Sequence, residues 1–261
     1  METGLNNSHI FITGASGGIG LITAQKFIEE GAKVSLHYNS NIEPLNVLLE
    51  SYPERTCAVQ ANVKNELDVI AAINESTSLL GPINCIVINH GIWIVNEAPV
   101  VDMSLKQWQH TIDIDLTGSF LFAREYLKQL KDKELSNVSI IFIGSTAGIF
   151  GEARHADYAA SKSALTYGLM RSLKNEIVLI NKRGRVNTVA PGWVLTPMAE
   201  KSLEDTSIVE KVYKTMPLRK IATPDDVANS IVFLASEKLA GHLSGNIIEV
   251  TGGMEGRVLF D

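Results

Sequence analysis

The chain has 261 residues, 45% of them hydrophobic and 20% charged, with a formal net charge of −6. That length can bury one sizeable core, and an acidic balance without a basic cluster argues against a nucleic-acid or anionic-membrane surface. No apolar run approaches the ~18 residues of a membrane span, and Met1 to Ser8 is polar without a signal-peptide core, so a cytoplasmic location is expected.

The first β-rich run, His9–Thr13, enters Thr13-Gly14-Ala15-Ser16-Gly17-Gly18-Ile19-Gly20, and a helix-like stretch follows at 21–30, stopped by Gly31. So many glycines let backbone N–H groups approach a pyrophosphate without Cβ obstruction, and the helix N-terminus adds positive potential. The second run, Lys33–His37, ends in His37-Tyr38-Asn39-Ser40. A carboxylate at that place binds the adenosine ribose hydroxyls of NAD. Its absence opens the site to a 2′-phosphate, with His37, Asn39 and Ser40 as possible hydrogen-bond donors. The alternative is a plain polar turn. NADP(H) is therefore expected over NAD(H).

The third run is Thr56–Ala61, followed by a helix at 65–80 that Gly81 ends, and the fourth is Ile83–Asn89. Cys57 and Cys85 stand in apolar surroundings and read as two buried thiols rather than a disulfide framework. A long helical stretch at 104–131 leads to the fifth run, Val138–Gly144, with Ser145 just beyond it. Tyr158 and Lys162 follow, four apart on one face of a helix at 158–181. A free tyrosine has a pKa of ~10, and a neighbouring ammonium favours the phenolate. Lys162 is thus expected to lower the Tyr158 pKa, and Tyr158 to act as general acid or base. Ser145 would hold the substrate oxygen.

The sixth run is Arg185–Val189. The stretch from Gly192 to Pro217 then breaks the rhythm with Trp193, Met198 and Tyr213, and reads as a lid over a cleft at about 192–217. Pro224 with Asp225 and Asp226 starts a helix at 224–236, and Asn246–Val250 is the last run. Continuous apolar runs alternating with helices predict an α/β fold, a doubly wound parallel sheet with right-handed crossovers, in one domain over 1–261.

With these residues in place, the chain resembles the single-domain short-chain dehydrogenases/reductases, over nearly its whole length from Phe11 to about Met254. The resemblance rests on Thr13 to Gly20, Asn89-His90-Gly91, Ser145, Tyr158 with Lys162, and Pro191-Gly192. Within the family it is most similar to 3-oxoacyl-carrier-protein reductases and to sugar or polyol dehydrogenases. It implies a seven-stranded Rossmann-type sheet and a homotetramer. It implies a cofactor site of Gly14, Ser16, Gly18, Ile19, Gly20, His37, Asn39, Ser40, Asn62, Val63, Asn89, Gly91, Tyr158, Lys162, Pro191, Gly192, Val194 and Thr196. Two departures stand out. His90 replaces a small residue and is either a packed histidine or an addition to the site. Asp115 occupies the position of the family's fourth catalytic residue, an Asn. No metal is assigned.

The substrate is expected to be a small alcohol or carbonyl compound, with Trp93, Phe150, Trp193 and Met198 at the pocket border. Glu152, Arg154 and His155 either read its polar groups or are loop residues in solvent. A dehydratase or epimerase, or a cofactor-binding regulator without turnover, are the alternatives.

Overall fold

The computed structural model describes residues 2–95, 97–131 and 133–256. The chain begins with β1 (His9–Ile12), α1 (Gly18–Glu29), β2 (Lys33–Tyr38), α2 (Asn46–Ser51), β3 (Thr56–Gln60), α3 (Glu66–Leu80) and β4 (Cys85–Ile88). Next come α4 (Leu105–Thr111), α5 (Gly118–Leu130), β5 (Ser139–Ile143), α6 (Thr146–Phe150), α7 (Ala156–Ser163), α8 (Met170–Ile180) and β6 (Arg185–Pro191). The remainder holds α9 (Glu200–Leu203), α10 (Thr206–Thr215), α11 (Pro224–Ala235), α12 (Glu237–Ala240) and β7 (Ile247–Val250).

The seven strands form one sheet in the order β3-β2-β1-β4-β5-β6-β7, and every pairing is parallel. The order reverses between β1 and β4, where a crevice opens at the carboxyl ends of the strands. Both faces are covered. Phe11 packs with Phe122, Tyr126 and Phe142 on one side, while its neighbours Ile10 and Ile12 pack with Phe27, Val34 and Ile231 on the other. Alternate side chains of a strand point to opposite faces, so a strand covered twice reads as a continuous apolar run.

Local chemistry sets the helix starts. Asn65 caps α3 by accepting from the Leu67 N–H at 3.0 Å, Ser104 caps α4 through Gln107 at 3.1 Å, and Thr223 forms a capping box with Asp226 ahead of Pro224. Two expected helices are less regular than their sequence pattern. The stretch at 104–131 is interrupted by a π-helical segment, Ile112–Thr117, and the one at 158–181 starts at Ala156 and contains another, Ala164–Leu169. Such wide turns carry little pattern of their own. The stretch at 192–217 holds α9 and α10, and Val212, Met216 and Ile221 form a small separate core there with Trp193 and Met254 against it. Cys57 and Cys85 are free and buried. No helix among the described residues is long and apolar enough to cross a membrane.

Candidate active site

An open cleft of about 1300 Å³ runs from the glycine turn to the start of α7. At one end, Gly14 has a φ of +62°, and a Cβ there would stand 3.0 Å from the His90 Cα, so only glycine fits without strain. A Cβ on Gly20 would collide with the Gly14 carbonyl. Gly17 precedes α1 without any side-chain cap, which leaves the first N–H groups of that helix to a ligand. Asn89 braces the turn from β4, its amide donating to the Thr13 and Gly14 carbonyls at 3.1 and 3.0 Å.

Two neutral histidines lock this turn. His37 is 1% exposed. Its Nδ1 accepts from the Gly14 N–H at 3.0 Å, so its Nε2 carries the proton and donates to the Ala61 carbonyl at 3.1 Å. Burial pushes its pKa down to about 4. The expectation that His37 donates to a cofactor phosphate is therefore corrected: both ring nitrogens are committed inward. His90 works the same way. Its Nε2 lies 3.1 Å from the Ile114 carbonyl and must donate to it. Its Nδ1 then accepts from the Thr13 hydroxyl at 2.8 Å, while that oxygen accepts from the Asn89 and His90 N–H groups. Burial, then the nearby His37 and Lys162, hold His90 down at about 3. His90 is thus a tie between the glycine turn and the π-helical segment. The Thr13 hydroxyl that anchors it carries no signal beyond its place in the glycine motif.

At the other end, Ser145 caps α6, its Oγ accepting from the Ala147 N–H at 3.1 Å, and it stands beside the Tyr158 phenol, whose pKa it pulls down. Lys162 is buried one turn along α7. Its Nζ donates to the Ile143 carbonyl at 3.1 Å, sits 5.6 Å from the centre of the Tyr158 ring and 3.9 Å from Asp115 Oδ2. Asp115, fully buried, accepts from the Ile92 N–H at 2.9 Å and from Ser161 at 3.5 Å. Burial raises the Asp115 pKa against the pull of Lys162, and burial lowers that of Lys162 against the pull of Asp115. The two titrate as one unit.

This arrangement corrects two expectations. Tyr158 is not lowered by Lys162. Burial first, then the Asp115 charge, hold the phenol well above its ordinary value, and the Ser145 hydrogen bond offsets this only in part. Asp115 itself does not line the cleft. It stands behind Gly91, where a Cβ would come within 3.0 Å of Lys162 Nζ and 3.3 Å of Asp115 Oδ2.

The remaining residues sort by placement. Gly14, Ser16, Gly18, Ile19, Asn39, Asn62, Val63, Asn89, Gly91, Pro191, Gly192, Val194 and Thr196 line the cleft, whereas Ser40 and Gly20 do not. Trp93, Phe150, Trp193 and Met198 line its outer end, and Lys64, Thr146, Lys211 and Lys214, which sequence reasoning leaves out, also line the cleft. Of the three polar residues between Ser145 and Tyr158, only Glu152 faces the cleft. Arg154 turns outward to Glu97 at 2.7 Å, and His155 is buried, stacked on Trp93 with ring centres 4.4 Å apart.

A doubly wound parallel sheet with a glycine turn at its switch point and a Ser–Tyr–Lys set in the same cleft defines a Rossmann-type oxidoreductase. A family model described as enoyl-(acyl carrier protein) reductase matches residues 14–255. The 3-oxoacyl-[acyl-carrier-protein] reductase of Staphylococcus aureus is 32% identical over 93% of this chain and 96% of its own. That of a Synechocystis strain is 32% identical over 97% and 98%. A short-chain dehydrogenase/reductase of Brucella melitensis, titled glucose/ribitol dehydrogenase, superposes with a TM-score of 0.86 at 30% identity, covering 97% of this chain and 98% of its own. Levodione reductase gives 0.87 at 26% identity, covering 95% and 98%. The chain belongs to the short-chain dehydrogenase/reductase family, oxidoreductases acting on CH–OH groups.

Proposed function

We propose that this enzyme transfers a hydride between NADP(H) and a small secondary alcohol or ketone, and that Tyr158 is its general acid and base. One observation carries the reading: Ser145, Tyr158 and Lys162 line one cleft that continues to an uncapped helix N-terminus. When bound, the nicotinamide supplies or accepts the hydride. In carbonyl reduction, Tyr158 Oη gives its proton to the substrate oxygen while Ser145 Oγ–H turns to donate to that same oxygen. A phenol held protonated by burial suits the acid role. Lys162, fixed by the Ile143 carbonyl and Asp115, keeps positive charge beside the ring in which negative charge develops.

The residues fit the cofactor. Gly18, whose Cβ would stand 2.9 Å from Thr196, and the free N–H groups at the start of α1 would take the pyrophosphate. Asn62 and Val63 would border the adenine, and Pro191, Gly192, Val194 and Thr196 the nicotinamide end. Asn39 and Lys64 line the cleft near the end of β2, where no carboxylate stands, which supports a preference for NADP(H). Turnover on a panel of ketones with NADPH and NADH tests the reading, with kcat/KM higher for NADPH. Asn39→Asp narrows or reverses that preference by repelling a 2′-phosphate. A preference for NADH in the wild type rejects the cofactor assignment.

The stretch at 192–217, with its own small core, serves as the lid of this single domain, and the cytoplasm as its location. A homotetramer is supported by Phe120, 43% exposed, and Tyr167, 38% exposed, and by Gly168, which has open space where a Cβ would be. Light scattering that gives a mass near 28.4 kDa at micromolar concentration rejects it.

A further inference from the structure

We infer that the substrate carries a hydroxyl group beside the carbonyl it presents to Tyr158, and that Glu152 is the residue that reads it. The inference rests on the reductase reading above and adds the substrate class.

Three observations meet at Glu152. First, its carboxylate lines the substrate end of the cleft, while the charged or polar neighbours that flank it in sequence are turned away: Arg154 into its pair with Glu97, His155 into its stack on Trp93. Second, the carboxylate is held. Trp93 lines the same wall and pulls the Glu152 pKa down, and Trp93 is itself fixed by the buried His155 ring. A carboxylate has about four acceptor positions, and one indole can fill only one of them. Acceptor capacity therefore remains on the cleft side. Third, Glu152, Ser145 and Tyr158 line the same cleft, so one substrate can bond Tyr158 through its carbonyl oxygen and Glu152 through a donor.

The chemistry of the surroundings selects the donor. Burial pushes the Glu152 pKa up to about 7, with Glu97 and Asp157 adding to the rise. A group poised there costs little to keep in a half-buried place, and both its forms accept from a hydroxyl. A carboxylate or phosphate on the substrate would be repelled by the ionised form. An ammonium would be attracted by Glu152 but would share the cleft with Lys162 on the floor and with Lys211 and Lys214 on the lid side. A neutral hydroxyl meets neither penalty. The aromatic rings of Trp93 and Trp193 supply apolar surface for the carbon skeleton.

The test uses the full-length enzyme with NADPH and matched ketones: cyclohexanone, 2- and 3-hydroxycyclohexanone, 4-piperidone as the cationic ring, and an acetoacetyl thioester. The hydroxylated rings are expected to exceed cyclohexanone in kcat/KM by about 10- to 100-fold, the scale of one hydrogen bond to a charged group. In Glu152→Ala that ratio collapses towards one, and in Glu152→Gln, which keeps an acceptor and a partner for Trp93, it is intermediate. An unchanged ratio in an active Glu152→Ala overturns the inference while leaving the reductase reading standing. So does a wild type that prefers 4-piperidone or the thioester. A wild type that binds NADPH and reduces no member of the panel removes both readings together.

Discussion

The two ends of the cleft are built differently. At the glycine turn, each polar group around His37, His90 and Thr13 is matched to a backbone partner, and the two imidazoles pack against Phe122 at 5.1 and 5.7 Å. At the substrate end, Phe150 is 41% exposed and Met198 49% exposed, and the wall is partly the stretch at 192–217, which has its own small core. A site that must hold one invariant ligand gains from a rigid, satisfied network, whereas a site that selects among substrates can change its wall without disturbing the fold.

The sharpest way to break the rigid half is acid. His37 is held at about 4 and His90 at about 3, each first by burial. These values lie below the ordinary 6.5, so as pH falls the unfolded chain takes up protons before the folded one. Their contribution is complete above about pH 6.5 and is lost as pH falls towards 4, at about 1.4 kcal/mol per pH unit for each histidine. Denaturant melts between pH 7 and 5 should show this steep loss, and His90→Asn should flatten it. A stability that does not change over that range would mean that the rings are not buried neutral.

Tyr158→Phe tests the junction of the halves. It keeps the ring and removes the proton, so kcat should fall at least ~10²-fold while NADPH binding is retained. Turnover near the wild type would exclude Tyr158 as the acid and move the chemistry elsewhere in the cleft.

Asp115→Asn probes the layer behind the site and has the smallest effect. Asparagine keeps the acceptor for the Ile92 N–H but removes the charge opposite Lys162. Without that partner, burial lowers the Lys162 pKa further, and the field on Tyr158 becomes less negative. Turnover should stay within about tenfold, ~1.4 kcal/mol in barrier, with the pH profile of kcat displaced to lower pH. Superimposable profiles would place Asp115 outside the mechanism.

Much of this protein was legible because it is written locally. Apolar runs alternating with helices, Gly31 and Gly81 at helix ends, and Pro224 at a helix start each signal their structure within a few residues. The Ser145, Tyr158 and Lys162 spacing belongs to the same class, since one strand end and one helix face suffice to bring them together. The two π-helical segments were not legible, because their own pattern is that of a regular helix, and the first is tied to the distant His90 through the Ile114 carbonyl.

What the tertiary structure alone decided is the use of the polar side chains. His37 stands at the end of a strand that a cofactor approaches, yet its ring turns inward because the Gly14 N–H, 23 residues away, needs an acceptor. Lys162 sits one helical turn from Tyr158, yet its charge is answered by Asp115 from another helix. Glu152, Arg154 and His155 are equivalent in the sequence, and the fold presents only the first to the cleft. Spacing along a chain determines which residues share an element. Which of their atoms remain free is set by partners far away in sequence, through the requirement that buried polar groups be paired.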